Sequence, residues 1–361
     1  MVGLAIGVMV GAALAPTISR LSVDRTLRAV VALGVLVTCA VAGNLIGTVV
    51  GTRLKKRTNG GKLLGKADSL AGALVAAVAL FLATWFLALN LVNGPLPTVA
   101  RAIRGSKIVG AINAVMPRPP SLVGELRSVL NTLGFPDVFV GLPPVPAPPV
   151  AGPTPAEVKS AEDAARGSTV KVLADGCYTG FYDQGSGFVV APGYVITNAH
   201  VVSGSSRQWV NQDKDYSATV VAFDPALDVA ILYVPDLHDK TLSRASDEVS
   251  RGAGGAVLGF PGGGPLTGVK AAVGQTIDAV GRDIYGQGDI TRRMYELQAQ
   301  IVPGNSGGPF VLENGQVAGL VFASSVATDQ VGYAMVIGEL EPLIKSAIGK
   351  TSPVSTQACS K

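Results

Sequence analysis

Charged residues are scarce in this chain, and their scarcity excludes an ordinary single soluble domain. Asp, Glu, Lys and Arg make up 15% of the 361 residues, against roughly 25% in a typical globular protein. The deficit is concentrated in two stretches, residues 29–52 and 69–100, which carry no charge at all. A helix of about 20 apolar residues crosses a bilayer. We therefore predict membrane-spanning helices over about 29–52 and 69–93.

The first nineteen residues also lack charge, although Pro16 limits the apolar helix that they could form. A secretory signal peptide would place basic residues ahead of its apolar core, and none is present here. We interpret residues 1–17 as a short membrane helix, with a signal peptide as the alternative. The predicted N-terminal architecture is thus an α-helical transmembrane bundle over residues 1–100.

Glycines recur at intervals of four residues in the first two apolar segments. Small residues at this spacing let membrane helices approach closely, although a general abundance of glycine would produce the same pattern. The residues concerned are Gly3, Gly7, Gly11, Gly43, Gly47 and Gly51.

The net charge of +4 comes largely from one short loop and gives no reason to expect a nucleic-acid partner. Six basic residues lie between the second and third predicted helices: Arg53, Lys55, Lys56, Arg57, Lys62 and Lys66. Loops rich in Lys and Arg stay in the cytoplasm. The chain after the third helix is therefore predicted to lie outside the cytoplasm. The predicted helices themselves lie in the inner membrane, whose lipids are one partner of the protein.

Cysteine is rare, with three residues in the whole chain. Cys39 falls inside a membrane segment, where it serves as a small apolar residue. Cys177 and Cys359 lie near the two ends of the C-terminal half, and we predict that they form a disulfide in an oxidising compartment. Two unrelated free thiols are the alternative. No grouping resembles a metal site, so neither a metal nor another cofactor is expected.

Residues 101–160 are predicted to connect the membrane region to a C-terminal domain. Apolar residues recur at helical spacing between residues 121 and 133, which predicts an amphipathic helix. Residues 135–155 contain eight prolines, a composition typical of a semi-rigid extended segment. We expect an exposed stalk here, where the chain would be accessible to proteolytic cleavage.

From about Ser168 the sequence changes to short runs of Val, Ile, Phe and Thr separated by turn residues. Such a pattern predicts an all-β barrel or sandwich, which we assign to a domain over residues 161–361. The predicted strands are Thr169–Leu173, Gly187–Val190, Tyr194–Thr197, Ala218–Phe223, Val229–Val234, Ala256–Leu258, Tyr295–Gln300, Gly308–Val311 and Val317–Phe322.

Three short motifs carry the chemistry of this domain. They are TNAHVV at 197–202, DPALDVAIL at 224–232 and GNSGGP at 304–309. A serine hydroxyl is a poor nucleophile unless an imidazole takes its proton, and a carboxylate behind the imidazole fixes its tautomer. Glycines around the serine let backbone N–H groups converge on a developing oxyanion.

These motifs, in this order, resemble those of the chymotrypsin-like serine proteases, and within them the bacterial branch that includes the periplasmic HtrA enzymes. The resemblance implies a double six-stranded β-barrel. It also implies that His200 is the general base, Asp228 the orienting acid and Ser306 the nucleophile. The backbone N–H groups of Gly304 and Ser306 would then form the oxyanion hole.

The whole chain is similar to the MarP group of actinobacterial periplasmic serine proteases, which join membrane helices akin to the colicin V production protein to a protease domain. This resemblance implies an endopeptidase that cleaves proteins of the cell envelope, with a role in acid or stress resistance. Two features depart from the group. Three membrane helices are predicted where the group has four, and Asn305 stands where the group commonly has Asp.

Substrate preference is less visible in the sequence than the catalytic residues are. By spacing, the base of the primary specificity pocket falls near Gln300, and one wall near Phe322, Ala323 and Ser324. No carboxylate lies there to attract Arg or Lys, so we expect a medium-sized apolar or polar side chain at the cleaved bond.

Two other functions compete with an active endopeptidase. The domain could be an idle scaffold that retains the fold, although such relatives usually lose a catalytic residue. The membrane helices could instead form a channel or transport factor regulated by the protease, although a conducting path usually contains ionisable residues. The oligomeric state cannot be predicted from the sequence.

Overall fold

The structure, a computed structural model, divides into two compact units. One comprises residues 1–132 with 141–143, and the other residues 133–140 with 144–361. The second unit therefore takes in part of the segment that the sequence analysis assigned to the connecting linker. The residues described are 2–19, 25–57, 138–139, 146–175, 182–211, 214–325 and 330–360, with isolated positions between 73 and 111.

The first unit contains two described helices, α1 (Val2–Ser19) and α2 (Arg25–Arg57). Among the described residues, one segment, Gly34–Arg53, is long and apolar enough to cross a membrane. This segment overlaps the predicted second helix at 29–52 and extends one residue beyond it. The predicted third helix at 69–93, apart from isolated positions, and the amphipathic helix at 121–133 lie outside the described residues.

Helices α1 and α2 contact each other through their glycines. A methyl group on Gly3 would lie 2.8 Å from Cα of Gly47, and one on Gly43 would lie 2.7 Å from Cα of Gly7. Either distance is far below a van der Waals contact, so the two backbones touch where side chains are absent. Gly51 is different, because no described atom lies within 4 Å of the position that its methyl would occupy.

The proline-rich segment of the second unit lies against the C-terminal β-domain rather than standing free of it. The Ala147 amide donates to Oε1 of Glu296 at 2.7 Å, and the Val150 amide donates to Oε1 of Gln298 at 3.0 Å. Proline-rich chain forms no ladder of its own, and here side chains of the barrel satisfy its amides. Residues 146–153 are thus hydrogen-bonded to the barrel, while Pro146, Pro148, Pro149, Ala151 and Gly152 remain exposed.

Helix α3 (Pro155–Ala165) continues this segment and starts at a capping box. Thr154 accepts a hydrogen bond from the Glu157 amide, while the Glu157 side chain accepts one from the Thr154 amide. Pro155 occupies the first helical position, where a missing N–H costs nothing. Ala161 and Ala165 are fully buried, so one face of α3 belongs to the core.

The first barrel is closed, with six antiparallel strands in the order β1-β2-β3-β6-β5-β4. A short helix, α4 (Ala199–Val202), follows β3 and carries His200. The strands are β1 (Thr169–Asp175), β2 (Tyr182–Ala191), β3 (Tyr194–Thr197), β4 (Gln208–Asn211), β5 (Asp215–Asp224) and β6 (Val229–Tyr233).

The second barrel is also closed, in the order β10-β11-β12-β9-β8-β7, and helix α5 (Ile337–Ala347) follows its last strand. The double six-stranded barrel is thus present as expected. Strands β4, β8 and β12 were absent from the sequence-based prediction. The strands are β7 (Gly254–Gly259), β8 (Thr267–Gly281), β9 (Ile290–Gln298), β10 (Pro309–Leu312), β11 (Val317–Ser324) and β12 (Val331–Val336).

The C-terminal segment after α5 returns to the first barrel. The Val354 amide donates to the Val220 carbonyl at 2.8 Å, and the Thr356 hydroxyl donates to the Ser205 carbonyl at 2.8 Å. Cys359, at the end of this segment, belongs to a disulfide, whereas Cys39 is a free thiol. Cys177 lies outside the described residues, so the pairing of Cys177 with Cys359 stays a prediction.

Enlarging a glycine in the helix contact should separate α1 from α2. In the detergent-solubilised full chain, Gly43→Leu should raise the rate at which a maleimide labels Cys39, because the side chain cannot fit against the Gly7 backbone. Gly51→Leu, in the same helix but without a neighbour, is the matched control and should label like the wild type. Peptide mapping identifies the labelled cysteine. Equal labelling rates for both variants would show that the glycine contact does not hold the helices together.

Candidate active site

His200 and Asp228 form a hydrogen-bonded pair at the edge of the first barrel. Nδ1 of His200 lies 2.7 Å from Oδ2 of Asp228, and the His200 amide donates to Oδ1 of Asp228 at 2.9 Å. Asp228 is 1% exposed and the His200 side chain 13% exposed. Because Asp228 engages Nδ1, the Nε2 atom of the imidazole remains as the nitrogen that can exchange a proton with a third group.

The backbone at Asp228 is in a conformation that few side-chain-bearing residues adopt. Its φ is 57°, in the left-handed region that costs a residue with a Cβ about 1–2 kcal/mol. The turn before it is closed by Asp224, whose Oδ1 accepts from the amides of Ala226 and Leu227 at 2.9 Å each. Nδ2 of Asn198 donates to the Asp228 carbonyl at 2.8 Å, which ties the turn to the segment that leads into His200.

Ser306 lies in the turn that precedes β10, in the second barrel, and is 4% exposed. The turn contains two glycines with positive φ, Gly304 at 100° and Gly307 at 82°. A methyl on Gly304 would lie 2.9 Å from the Gly262 nitrogen, and one on Gly307 would lie 2.5 Å from Oγ1 of Thr197. Both glycines are thus required by backbone conformation and by space.

Gly185 and Ser186 of β2 join the Ser306 turn to the first barrel. The Ser186 amide donates to the Ser306 carbonyl at 2.7 Å, and its hydroxyl donates to the Gly304 carbonyl at 2.6 Å. A methyl on Gly185 would lie 2.7 Å from the Val201 side chain and 3.0 Å from the Ser306 carbonyl oxygen. Helix α4, which carries His200, and the Ser306 turn therefore pack against the same residue of β2.

The peptide before Gly304 is held by hydrogen bonds on both sides of the turn. The Pro303 carbonyl accepts from the Gly262 amide at 2.8 Å, and the side chain of Asn305 accepts from the Val302 amide at 3.1 Å. Bonding of the Pro303 carbonyl to Gly262 directs the following N–H group, that of Gly304, towards the opposite side.

The residues expected to form the specificity pocket differ in their exposure. Gln300 is exposed, whereas Phe322 and Ala323 are buried in β11 and Ser324 is 8% exposed. Ile301 is 3% exposed, and a methyl on Gly332 would lie 3.1 Å from its Cβ. Ile301 thus fills the space next to Gly332 of β12. The pocket assignment stays a prediction.

Two residues that contact the site, Ser186 and Arg292, were not predicted from the sequence. Ser186 holds the Ser306 turn, and Arg292 donates to the Ala226 carbonyl in the turn before Asp228. The Gly-Ser-Gly run at 185–187 was a usable signal, because glycine inside a strand often marks the close approach of another backbone. Arg292 of β9 offered none, since Thr291-Arg292-Arg293 resembles a solvated strand end. Among the described residues, no group of three His, Cys, Asp or Glu side chains is arranged to hold a metal ion.

Comparison with known proteins identifies the families that the two parts of the chain resemble. The trypsin-like peptidase domain family matches residues 185–320, and the colicin V production protein family matches residues 1–117. The serine protease Rv3671c of Mycobacterium tuberculosis is 40% identical over 299 residues, which cover 81% of this chain and 75% of that protein. A probable periplasmic DegP-like endoprotease of Chlamydia pneumoniae is 36% identical over 154 residues, covering 42% of this chain and 30% of that one.

The similarity extends to solved structures. The active form of the M. tuberculosis Rv3671c protease matches with a TM-score of 0.58 at 40% identity, over 61% of this chain and 97% of that one. The inactive form of a serine-to-alanine mutant of the same protease gives a TM-score of 0.50 over 56% of this chain and 99% of that one.

The fold and its relatives define a trypsin-like serine protease, related to the HtrA enzymes. More narrowly, the chain belongs to the MarP-type serine proteases, the family of the M. tuberculosis enzyme. It is a serine endopeptidase, and its substrates are proteins or peptides.

A single methyl group at Gly304 should abolish most of the activity. Gly304→Ala forces the turn to move, because the methyl would contact Gly262, and kcat should fall on the order of 10²–10³-fold, as for the loss of one oxyanion donor. Gly262→Ala is the matched control, since Gly262 also has a positive φ of 58° but no described atom within 4 Å of the methyl position. Peptide hydrolysis measures both, and an equal loss in the two variants would contradict the steric argument.

Proposed function

We propose that this serine protease is anchored in the cell membrane and hydrolyses peptide bonds of envelope proteins with a triad of His200, Asp228 and Ser306. The observation that supports this assignment best is the 2.7 Å contact between His200 and buried Asp228. Ser186 and Gly185 tie the Ser306 turn to the same side of the first barrel. The helix that carries His200 and the turn that carries Ser306 therefore both contact β2.

The proposed mechanism follows the roles that these contacts allow. Nε2 of His200 takes the proton from Oγ of Ser306 as that oxygen attacks the peptide carbonyl carbon. Asp228 holds the Nδ1 proton and stabilises the imidazolium. The N–H groups of Gly304 and Ser306 stabilise the oxyanion, and His200 then returns the proton to the leaving amine. Water, activated by the same imidazole, hydrolyses the acyl-enzyme at Ser306.

The proposed location rests on charge, apolar length and the disulfide. Gly34–Arg53 can cross a membrane, and residues 1–117 match the colicin V production protein family. The basic loop after α2 favours a multi-pass topology that places the protease in the periplasm. Disulfides persist in such oxidising compartments and are rare in the cytosol, and Cys359 is in one. A role in acid or stress resistance follows from the resemblance to the MarP group.

The triad assignment predicts a defined labelling pattern. A fluorophosphonate probe should label the full chain in detergent, and Ser306→Ala should abolish labelling because it removes the nucleophile. Asp228→Asn should slow labelling by roughly 10⁴-fold, since the imidazole then adopts the wrong tautomer. His238→Ala, at the other histidine of the chain, is the matched control for His200→Ala. A folded wild-type protein that resists the probe would favour the scaffold hypothesis instead.

Acid should slow the reaction, because an imidazolium cannot accept the Ser306 proton. An enzyme that serves in acid would then act before the acid arrives, or respond to acid through its conformation or its substrates. A rate of peptide hydrolysis that stays constant down to pH 4 would exclude His200 as the general base.

We also propose that Cys359 pairs with Cys177. The hydrogen bonds that hold residues 354 and 356 to the first barrel bring the C-terminal segment to the domain that contains Cys177. Non-reducing peptide mapping should find these two cysteines linked and Cys39 free. A reduced Cys177, or a bond between Cys359 and a second chain, would contradict the pairing.

A further inference from the structure

Arg292 is a buried cation that reaches from the second barrel to the first. It lies on β9 and is 3% exposed. Its Nε and Nη2 atoms both donate to the Ala226 carbonyl, at 2.8 and 2.5 Å, and Nη2 also donates to the Arg282 carbonyl at 2.7 Å. Ala226 belongs to the turn that carries Asp228. The guanidinium of Arg292, a residue of the second barrel, therefore binds a turn of the first barrel.

A second hydrogen bond, from the hairpin formed by β8 and β9, also holds the Asp228 turn. The Ile284 amide, in the loop between β8 and β9, donates to the Pro225 carbonyl at 3.1 Å. Two successive carbonyls of the Asp228 turn, those of Pro225 and Ala226, are thus held by the second barrel. A methyl on Gly281 would lie 2.8 Å from Nη1 of Arg292, so the absence of a side chain at Gly281 makes room for the guanidinium.

Three carboxylates lie near the Arg292 guanidinium, and one of them is that of Asp228. Burial lowers the pKa of the Arg292 guanidinium, and the carboxylates of Asp228, Asp283 and Asp224 oppose that shift. A buried ionic cluster often stabilises a fold no better than apolar residues of the same volume. A contribution to stability therefore does not by itself explain why a cation is buried at Arg292. Its hydrogen bonds to the Asp228 turn explain its position better.

We propose that Arg292 is a positioning residue for catalysis, which fixes the turn of Asp228 and thereby orients His200. Asp228 has an unfavourable φ of 57°, and such a conformation persists only where its surroundings over-determine it. Asn198 and Asp224 restrain the turn within the first barrel, and Arg292 restrains it from the barrel that carries Ser306. The Arg292 side chain thus links the position of Asp228 to the second barrel, which contains Ser306.

This proposal rests on the proposed triad, and its test separates the two. The full chain in detergent would be compared as wild type, Arg292→Met, Arg292→Lys and Arg244→Met. Arg244 is the matched control, because it is also partly buried, donates to the Val190 carbonyl of the first barrel at 2.9 Å and pairs with Glu341 in α5. Within the part of the chain that the structure describes, no hydrogen bond or ion pair joins the Arg244 side chain to the Asp228 turn. Ser306→Ala reports independently on the nucleophile.

Arg292→Met should lower kcat on the order of 10²-fold, as expected for a displaced catalytic group, with little change in KM. It also removes the cation that faces Asp224, Asp228 and Asp283, and a nearby cation disfavours the binding of protons at an active site. The acidic limb of kcat/KM should therefore move to higher pH in Arg292→Met. Arg292→Lys keeps the charge and should leave that limb near its wild-type position, while recovering only part of kcat.

Thermal unfolding of each variant shows how much of any loss comes from folding. Arg244→Met should lose stability without a change in the pH profile. The proposal is overturned if Arg292→Met, while folded, retains kcat within twofold of the wild type. It is equally overturned if Arg292→Met and Arg244→Met lose kcat in the same proportion as stability, with unchanged pH profiles. Failure of the wild type to label at Ser306 would instead reject the triad.

Discussion

The contact between the two barrels is the constraint on which the active site depends. His200 and Asp228 belong to the first barrel and Ser306 to the second, so neither barrel contains the proposed triad alone. Ser186 crosses this boundary with its amide and hydroxyl, and Arg292 crosses it in the opposite direction. Because hydrogen bonds are directional, these residues fix the orientation of the facing loops as well as their distance.

Glycine makes that contact possible at several points. The absence of a side chain at Gly185 leaves room for Val201 and the Ser306 carbonyl. The same absence at Gly307 leaves room for Thr197 of the first barrel. The same principle brings α1 and α2 together at Gly3 and Gly43 in the other unit. Tight backbone approach in both settings requires residues without side chains, whether the surroundings are a β-barrel edge or an apolar helix pair.

The sequence predicted the parts of this fold whose signals are local. The buried strands β3, β6 and β11 are continuous apolar runs, and the three catalytic motifs are short and ordered. Strand β8 was missed because Gly268, Gly274 and its polar residues interrupt the apolar alternation, which pairing with both β7 and β9 overrides. Arg292 was missed for a related reason: its partners are 66 and 10 residues away, and only the folded chain brings them together.

The docking of the proline-rich segment determines where the protease can be separated from the N-terminal unit. Glu296 is 1% exposed and accepts hydrogen bonds from the Ala147 amide and the Gln275 side chain. A cut before residue 146 would leave these bonds intact. A cut at the start of α3 would free the strap formed by residues 146–153 and leave a buried carboxylate short of one donor, at a cost of about 1–3 kcal/mol. A soluble form of this enzyme is therefore best begun ahead of the strap, whether by an engineered start or by a processing protease.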